Sequence, residues 1–466
     1  MLIRIITVLL IAYFHILVLR SEESENFKIR EVAGNFKTIW EMTWGPDNHI
    51  WLSERYGRIS RVNPETGDVN VLLTIPDVFE GGERGLMGID LHPNFINNPY
   101  LYAAYNYGST NENSRIRIVR YTYINSKLSE PFILLDDIKG WWNHNGARVK
   151  IGDDGKLWFT IGDAAESQRA QNLNNLNGKL SRMNLDGTVP DDNPYTDNYI
   201  WSFGHRNQQG LVLANGKVYT SEHGSSTNDE INLIKKGRNY GWPNVQGFCD
   251  SQSEITFCEQ NNVVEPILSL YPNHTLAIAG MAYYEHSLLP DWNNSLIISS
   301  LKAENLVIAN LDDEGETVIG VKEMFNNKFG RLRAVCVAPD GRVFVGTSNQ
   351  DGRASSKFRD SMDKIFEIKS TASSNINTYE DSGELRIFPN PSQTSFTIST
   401  STKIQDAEIS ILDMTGNLVL KTSYYSQSKF HWDGMSQEGK SCPPGIYFIR
   451  VNNNSKLLYG KVSLIR

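Results

Sequence analysis

One arrangement of polar and apolar positions recurs along the chain: a turn of Asp, Asn or Gly, then a strand of alternating apolar residues. It appears as Pro46-Asp47-Asn48-His49-Ile50-Trp51-Leu52 and as Asp153-Asp154-Gly155-Lys156-Leu157-Trp158-Phe159. It returns as Ala214-Asn215-Gly216-Lys217-Val218-Tyr219 and as Pro339-Asp340-Gly341-Arg342-Val343-Phe344-Val345. Asp, Asn and Gly tolerate the positive φ that a tight turn needs, and a period of two marks half-buried strands. No long 3.6-residue period interrupts them, and the spacing is irregular. Short strands separated by large insertions predict an all-β fold, a β-propeller, with a pair of β-sandwiches as the alternative. Phe27 to Lys369 is about 340 residues, which at roughly 40–50 per blade allows six to eight blades.

The two ends read differently. A short basic start, Met1-Leu2-Ile3-Arg4, leads into an almost unbroken apolar run from Ile5 to Leu19, and Arg20-Ser21-Glu22-Glu23-Ser24 then turns polar. The run is shorter than the roughly 20 residues of a membrane span, so residues 1–20 are predicted to be a secretory signal peptide. No later stretch is apolar enough to cross a bilayer. Residues 370–384 are small and polar, a linker between a propeller at 27–369 and a further unit at 385–466. In that unit Phe396-Thr397-Ile398-Ser399, Ala407-Glu408-Ile409-Ser410-Ile411 and Ile446-Tyr447-Phe448-Ile449-Arg450-Val451 alternate as strands of a small C-terminal β-sandwich.

A net charge of −8 argues against nucleic acid as a partner, since phosphate binding needs clustered cations. Cys249 and Cys258 lie nine residues apart in one polar, loop-like segment, and export makes a disulfide between them chemically reasonable. Cys336 falls in an apolar strand and reads as a buried thiol.

Candidate chemistry gathers in a few loops. In Trp141-Trp142-Asn143-His144-Asn145-Gly146 a histidine stands on a loop where backbone can approach a ligand closely. Imidazole titrates near neutrality and can take a hydroxyl proton. Arg206-Asn207 forms part of a Gly-bounded loop, Lys302 follows Ser300-Leu301, and Gly330-Arg331-Leu332-Arg333 puts two guanidiniums at strand spacing, hence on one face. Four cations projecting into one place would call for an anionic ligand, and paired arginines suit carboxylates; the alternative reading is four surface ion-pair residues.

The ordered series of motifs resembles the soluble quinoprotein glucose and aldose sugar dehydrogenase family. It runs from Glu83-Arg84-Gly85-Leu86-Met87-Gly88 through the Asn143–Gly146 loop, Ile161-Gly162-Asp163 and Gly204-His205-Arg206-Asn207. It continues through Glu222-His223-Gly224, Asp229-Glu230-Ile231-Asn232 and Asn239-Tyr240-Gly241-Trp242-Pro243 to Leu301-Lys302 and Gly330-Arg331-Leu332-Arg333. The resemblance implies a six-bladed propeller that binds pyrroloquinoline quinone (PQQ) and Ca²⁺ and oxidises sugar hydroxyls, aldose to lactone. It implies His144 as general base and Glu83, Arg206, Asn207, Lys302, Arg331 and Arg333 as cofactor ligands. Gly224 and Ser225 would supply carbonyls to the active-site calcium, and Glu230 and Tyr240 would belong to a second calcium site; such oxygen ligands suit Ca²⁺. A sugar or alcohol substrate and an external electron acceptor follow from the same resemblance.

Departures from the family pattern are Asn143 in place of Asp, Ser225 in place of a common Pro, and the acidic Glu83, whose charge Arg84 or calcium would have to offset. Two other readings stand beside this one: a calcium-dependent lactonase-type hydrolase, and a secreted propeller that binds carbohydrate or protein without catalysis. The tail is similar to the C-terminal sorting domain of the type IX secretion system, through Ile387-Phe388-Pro389-Asn390-Pro391, Asp413-Met414-Thr415-Gly416 and Gly445-Ile446-Tyr447-Phe448. That likeness implies passage through the periplasm to the cell surface or medium.

Overall fold

The computed structural model describes residues 18–20, 27–370, 385–388, 390, 392–400, 407–413, 417–424, 429–452 and 457–465. The predicted signal peptide lies outside them apart from Val18–Arg20, the predicted linker apart from Ser370, and the Asp413–Gly416 motif apart from Asp413. The chain divides into two compact units, residues 1–372 and 373–466.

The first unit is a ring of six antiparallel sheets, each a blade. Their innermost strands are Ile39–Trp44, Leu86–Leu91, Gly146–Ile151, Gln208–Ala214, Ile278–Tyr284 and Leu332–Val337. These touch one another in order, and the sixth returns to the first. In the sixth blade the outermost strand is Phe27–Phe36, from the start of the chain, paired with Asp363–Ser370 near the unit's end. Two distant segments thus close the ring, which leaves it without an open inner edge. Val18–Arg20 pairs in parallel with the outer strand of the fifth blade, Val318–Met324.

The recurring turns behave as their composition requires. Asn48, Gly155, Gly216 and Gly341 all take positive φ, between 56° and 83°. In two of them the turn aspartate also holds the indole of the strand it starts: Asp47 accepts from Trp51 Nε1 at 3.1 Å, and Asp154 accepts from Trp158 Nε1 at 3.3 Å. Alternation along each strand sends apolar side chains to both neighbouring blades, so the core is six clusters, one per blade junction. Trp40, Trp51, Trp292, Phe159 and Phe344 are almost wholly enclosed in them, each removing about 150–250 Å² from water.

The turns that join first and second strands lie on one face of the ring. The opposite face therefore carries the loops entering each innermost strand and those joining second to third strands. It is these loops that hold the candidate chemistry.

One prediction needs correcting. The segment containing Cys249 and Cys258 is not all loop: Gln252–Asn261 is an α-helix, started by Ser251 and Glu254 in a reciprocal cap. None of its residues is buried, so it has no apolar stripe from which a period could be read. Cys249 and Cys258 are joined in a disulfide that ties the helix to the preceding turn, and Cys336 is a buried free thiol.

The second unit consists of two sheets, Leu385–Phe388, Phe396–Thr400 and Lys429–Trp432 in one, Ala407–Leu412, Leu418–Tyr424, Gly445–Asn452 and Leu457–Leu464 in the other. Phe396, Ile398, Ile409, Ile411, Trp432 and Val462 form the core between them, a small β-sandwich. Among the described residues no helix is long and apolar enough to cross a membrane.

Candidate active site

His144 ends the loop entering the third blade, and its backbone sits in the left-handed region at φ 55°. Nearby Ala147, Ala164 and Ala165 do the same at 54–61°. Such conformations cost non-glycine residues about 1–2 kcal/mol each and persist only where the surroundings fix them. The fixing contacts are visible. The His144 backbone N–H donates to Glu83 Oε2 at 3.0 Å, and Ala164 N–H donates to the His144 carbonyl at 3.1 Å. Gly162 packs so closely that a Cβ there would lie 2.2 Å from that carbonyl oxygen.

The imidazole is aimed by Asp163. Its Nδ1 lies 2.8 Å from Asp163 Oδ1, and the carboxylate, 1% exposed, also accepts from Ala165 N–H at 2.8 Å and Trp242 Nε1 at 2.9 Å. With Nδ1–H donating to a carboxylate, the neutral ring presents Nε2 as a free base. A base oriented by a third group is the arrangement that proton abstraction requires.

Glu83, Asn207 and Arg206 lie directly around this pair. Asn207 is wholly buried; its Oδ1 accepts from Gly146 N–H at 3.1 Å, and its Nδ2 reaches Glu83 at 3.4 Å. Glu222, adjoining the same loop, accepts from the backbone N–H groups of Arg206 and Asn207. Arg206 donates through Nη1 to the His223 carbonyl at 3.1 Å and stacks over Trp242, centroid distance 5.4 Å. Arg331 and Arg333 do share a face: Arg331 Nε donates to Asp351 Oδ2 at 2.8 Å, and Arg333 Nη2 lies 3.8 Å from the same oxygen. Arg331 Nη1 also binds the Leu301 carbonyl at 3.0 Å, next to the exposed Lys302.

One expectation changes. Arg84 does not offset Glu83; it turns to Asn111 and to the Phe79 and Trp142 rings. Arg353 stands instead 3.6 Å from Glu83. Burial works to raise the Glu83 carboxyl, but His223, His144 and Arg353 outweigh it and hold it below the usual range. Glu230 and Tyr240, expected at a second calcium site, are held by different partners. The Tyr240 hydroxyl donates to the Leu233 carbonyl at 2.7 Å and accepts from Lys235 N–H at 2.8 Å. Glu230, opposite Glu222 on the paired strand, accepts from Gly247 N–H at 2.7 Å. Burial and the Glu222 charge push it up to about 8.

Gly224 donates to Asp229 Oδ1 at 3.0 Å in a turn so tight that a Cβ would fall 1.6 Å from the Thr227 carbonyl oxygen. Ser225 is exposed. Among the described residues no three His, Cys, Asp or Glu side chains form a metal cluster.

Sequence reasoning missed Asp163 as a functional group, along with Trp242, Arg55, His223, Asp351 and Arg353. Arg55 is 9% exposed, and its Nη1 binds the Gly82 carbonyl at 2.7 Å. Three buried nitrogens on this face have no partner: Arg55 Nε, Arg206 Nε and His223 Nε2. Buried polar atoms are normally satisfied, so such orphans mark a place where a ligand's acceptors belong. Burial pushes Arg333 down to about 9 even with Asp351 beside it, and Arg331, Arg55 and Arg148 add to the shift.

Comparison with known proteins identifies the family and the fold. The model of a family described as glucose/sorbosone dehydrogenase matches residues 36–356, and that of a secretion-system C-terminal sorting domain matches residues 386–464. The chain is 33% identical over 415 residues to quinoprotein glucose dehydrogenase B of Acinetobacter calcoaceticus, covering 71% of this chain and 87% of that one. It is 28% identical to an aldose sugar dehydrogenase of Escherichia coli, covering 67% and 88%. The solved PQQ-bound aldose sugar dehydrogenase of Streptomyces coelicolor superposes with a TM-score of 0.64 at 28% identity, covering 75% of this chain and all of that one.

Proposed function

The chain belongs to the glucose/sorbosone dehydrogenase family, and we propose that it oxidises the hydroxyl of an aldose, giving a lactone, with PQQ as cofactor and calcium as its companion ion. The secretion-system sorting domain marks the protein as secreted or cell-surface, so an external dye or electron-transfer protein serves as final acceptor. The observation that carries the reading is a carboxylate-oriented imidazole standing in a ring of cations with orphaned buried nitrogens.

The residues fit such a cofactor. Its three carboxylates match the acceptors that Arg206, Arg55 and His223 lack, and Lys302, Arg331 and Arg333 add charge and bidentate geometry. The quinone, when bound, supplies the two-electron acceptor for a hydride leaving the substrate carbon. His144 Nε2 takes the hydroxyl proton, and Asp163 stabilises the imidazolium that results. Glu83 keeps the His144 backbone in its left-handed conformation, so the base does not have to reorganise as the reaction proceeds.

Calcium would be held chiefly by the Gly224 and Ser225 carbonyls. A second ion fits at Glu230, where the carboxyl is buried opposite Glu222 and the adjoining Asn232 Oδ1 has no partner. Oxygen donors of this kind suit Ca²⁺.

Reconstitution of the full protein with PQQ and Ca²⁺, followed by dye reduction with aldoses and simple alcohols, tests the proposal. His144→Ala should abolish turnover while retaining cofactor, whereas Arg331→Ala should weaken cofactor binding. Lactone hydrolysis without quinone, or sugar binding without turnover, would overturn it.

A further inference from the structure

Of the ten tryptophans, all among the described residues, nine are buried or half-buried and one, Trp142, is exposed, at 47%. It stands two residues before His144. Its carbonyl accepts from Glu83 N–H at 2.9 Å, the residue that in turn fixes the His144 backbone. The indole is seated on the Gly81-Gly82 turn: a Cβ on Gly82 would fall 2.6 and 2.8 Å from Trp142 Cδ2 and Cε2. Gly82 has φ 62°, so only glycine serves comfortably as the floor under this ring. The Arg84 guanidinium lies 5.5 Å from the ring centroid. The loop itself is clamped, with Trp141 N–H donating to Asn145 Oδ1 at 3.0 Å and Asn145 Nδ2 donating back to the Trp141 carbonyl at 2.9 Å.

A large indole is normally enclosed; here it is locked in place with almost half its surface in water, at the edge of the reaction site. The C–H faces of a pyranose are the chemistry that matches such a ring, and Trp142 stands on the same clamped loop as His144, two residues away. We infer that Trp142 is a second sugar subsite and that the substrate is an aldose carrying at least one further pyranose ring, its reducing end at His144 and its next ring stacked on the indole. The inference rests on the dehydrogenase reading above.

The test compares glucose, maltose, cellobiose, maltotriose and cellotriose as substrates of the PQQ- and Ca²⁺-loaded full-length protein. Trp142→Ala should lower kcat/KM for the di- and trisaccharides of at least one linkage series by about three- to tenfold, mostly through KM, the range expected of one aromatic stacking contact. Glucose should change less than about twofold, and Trp142→Phe should recover part of the loss. Phe132→Ala, an exposed aromatic on the outermost strand of the second blade, serves as a control and should leave every substrate unaffected. Equal losses for glucose and the longer sugars, or no loss for any, would sink the subsite while leaving the dehydrogenase standing. If wild type oxidises no aldose, the enzymatic reading fails, and calorimetric titration of the loaded protein with both trisaccharides decides the subsite. Binding that Trp142→Ala weakens supports it, and absent or unchanged binding overturns it.

Discussion

Replacing Asp163 by Asn is the sharpest perturbation of the proposed chemistry, because three donors converge on two oxygens. Oδ1 accepts from His144 Nδ1 and Ala165 N–H, and Oδ2 accepts from Trp242 Nε1. An amide cannot satisfy both sides. With its oxygen toward His144 and Ala165, its NH₂ meets the Trp242 indole N–H, donor against donor. Flipped, it satisfies Trp242 but opposes Ala165 N–H and forces His144 Nδ1 to become an acceptor, which moves the ring proton to Nε2 and removes the base. Loss of the charged hydrogen bond costs about 1.5–3 kcal/mol, and an unsatisfied buried donor about 1–3 kcal/mol more. Together these correspond to a fall in kcat of roughly 10²–10⁴-fold. Trp242→Phe alone removes one bond to the carboxylate and should cost no more than about tenfold. Adding it to Asp163→Asn removes the opposing donor, so the double variant should be more active than Asp163→Asn, its deficit shrinking to about 10–10²-fold. The assay is stopped-flow reduction of the loaded cofactor by glucose, with cofactor content checked by absorbance. An Asp163→Asn rate within about threefold of wild type would refute the dyad. Strictly additive losses in the double variant would refute the donor argument.

Two further outcomes follow from the blade-four loops. Glu230 is raised from 4.5 to about 8, so between those values the folded state holds a proton that the unfolded chain has released, and stability falls as pH rises. In EDTA the thermal midpoint of wild type should therefore drop from pH 5 to pH 8 relative to Glu230→Gln, and Ca²⁺ should restore it at pH 8; a wild-type slope matching that of the variant would contradict this. Gly224→Ala would place a Cβ 1.6 Å from the Thr227 carbonyl oxygen and displace the 223–228 turn. It should abolish calcium-dependent dye reduction while lowering the thermal midpoint by only about 2–4 °C, since the turn lies outside the blade cores; an unchanged calcium titration would refute a role for that turn.

The parts of this protein written locally in the chain could be read from it. Turn residues with positive φ start strands whose alternation feeds six blade junctions, and neither Gly155 nor Gly341 needs tertiary context to be recognised. The cations could be read too, because Arg331 and Arg333 are two residues apart and Arg206 adjoins Asn207. What the sequence did not disclose is pairing between loops that only the fold brings together. Asp163 and His144 are separated by 19 residues and come together only because the third blade's second strand ends beside the start of its innermost strand. Arg353 and Glu83 are separated by most of the ring, and nothing local favours that pair over the adjacent Arg84, which the Phe79 and Trp142 rings draw away. A propeller converts sequence distance into proximity on one face. The residues that tune its chemistry are therefore the ones local pattern reveals least, whereas the turns and alternating strands that build each blade are the ones it reveals best.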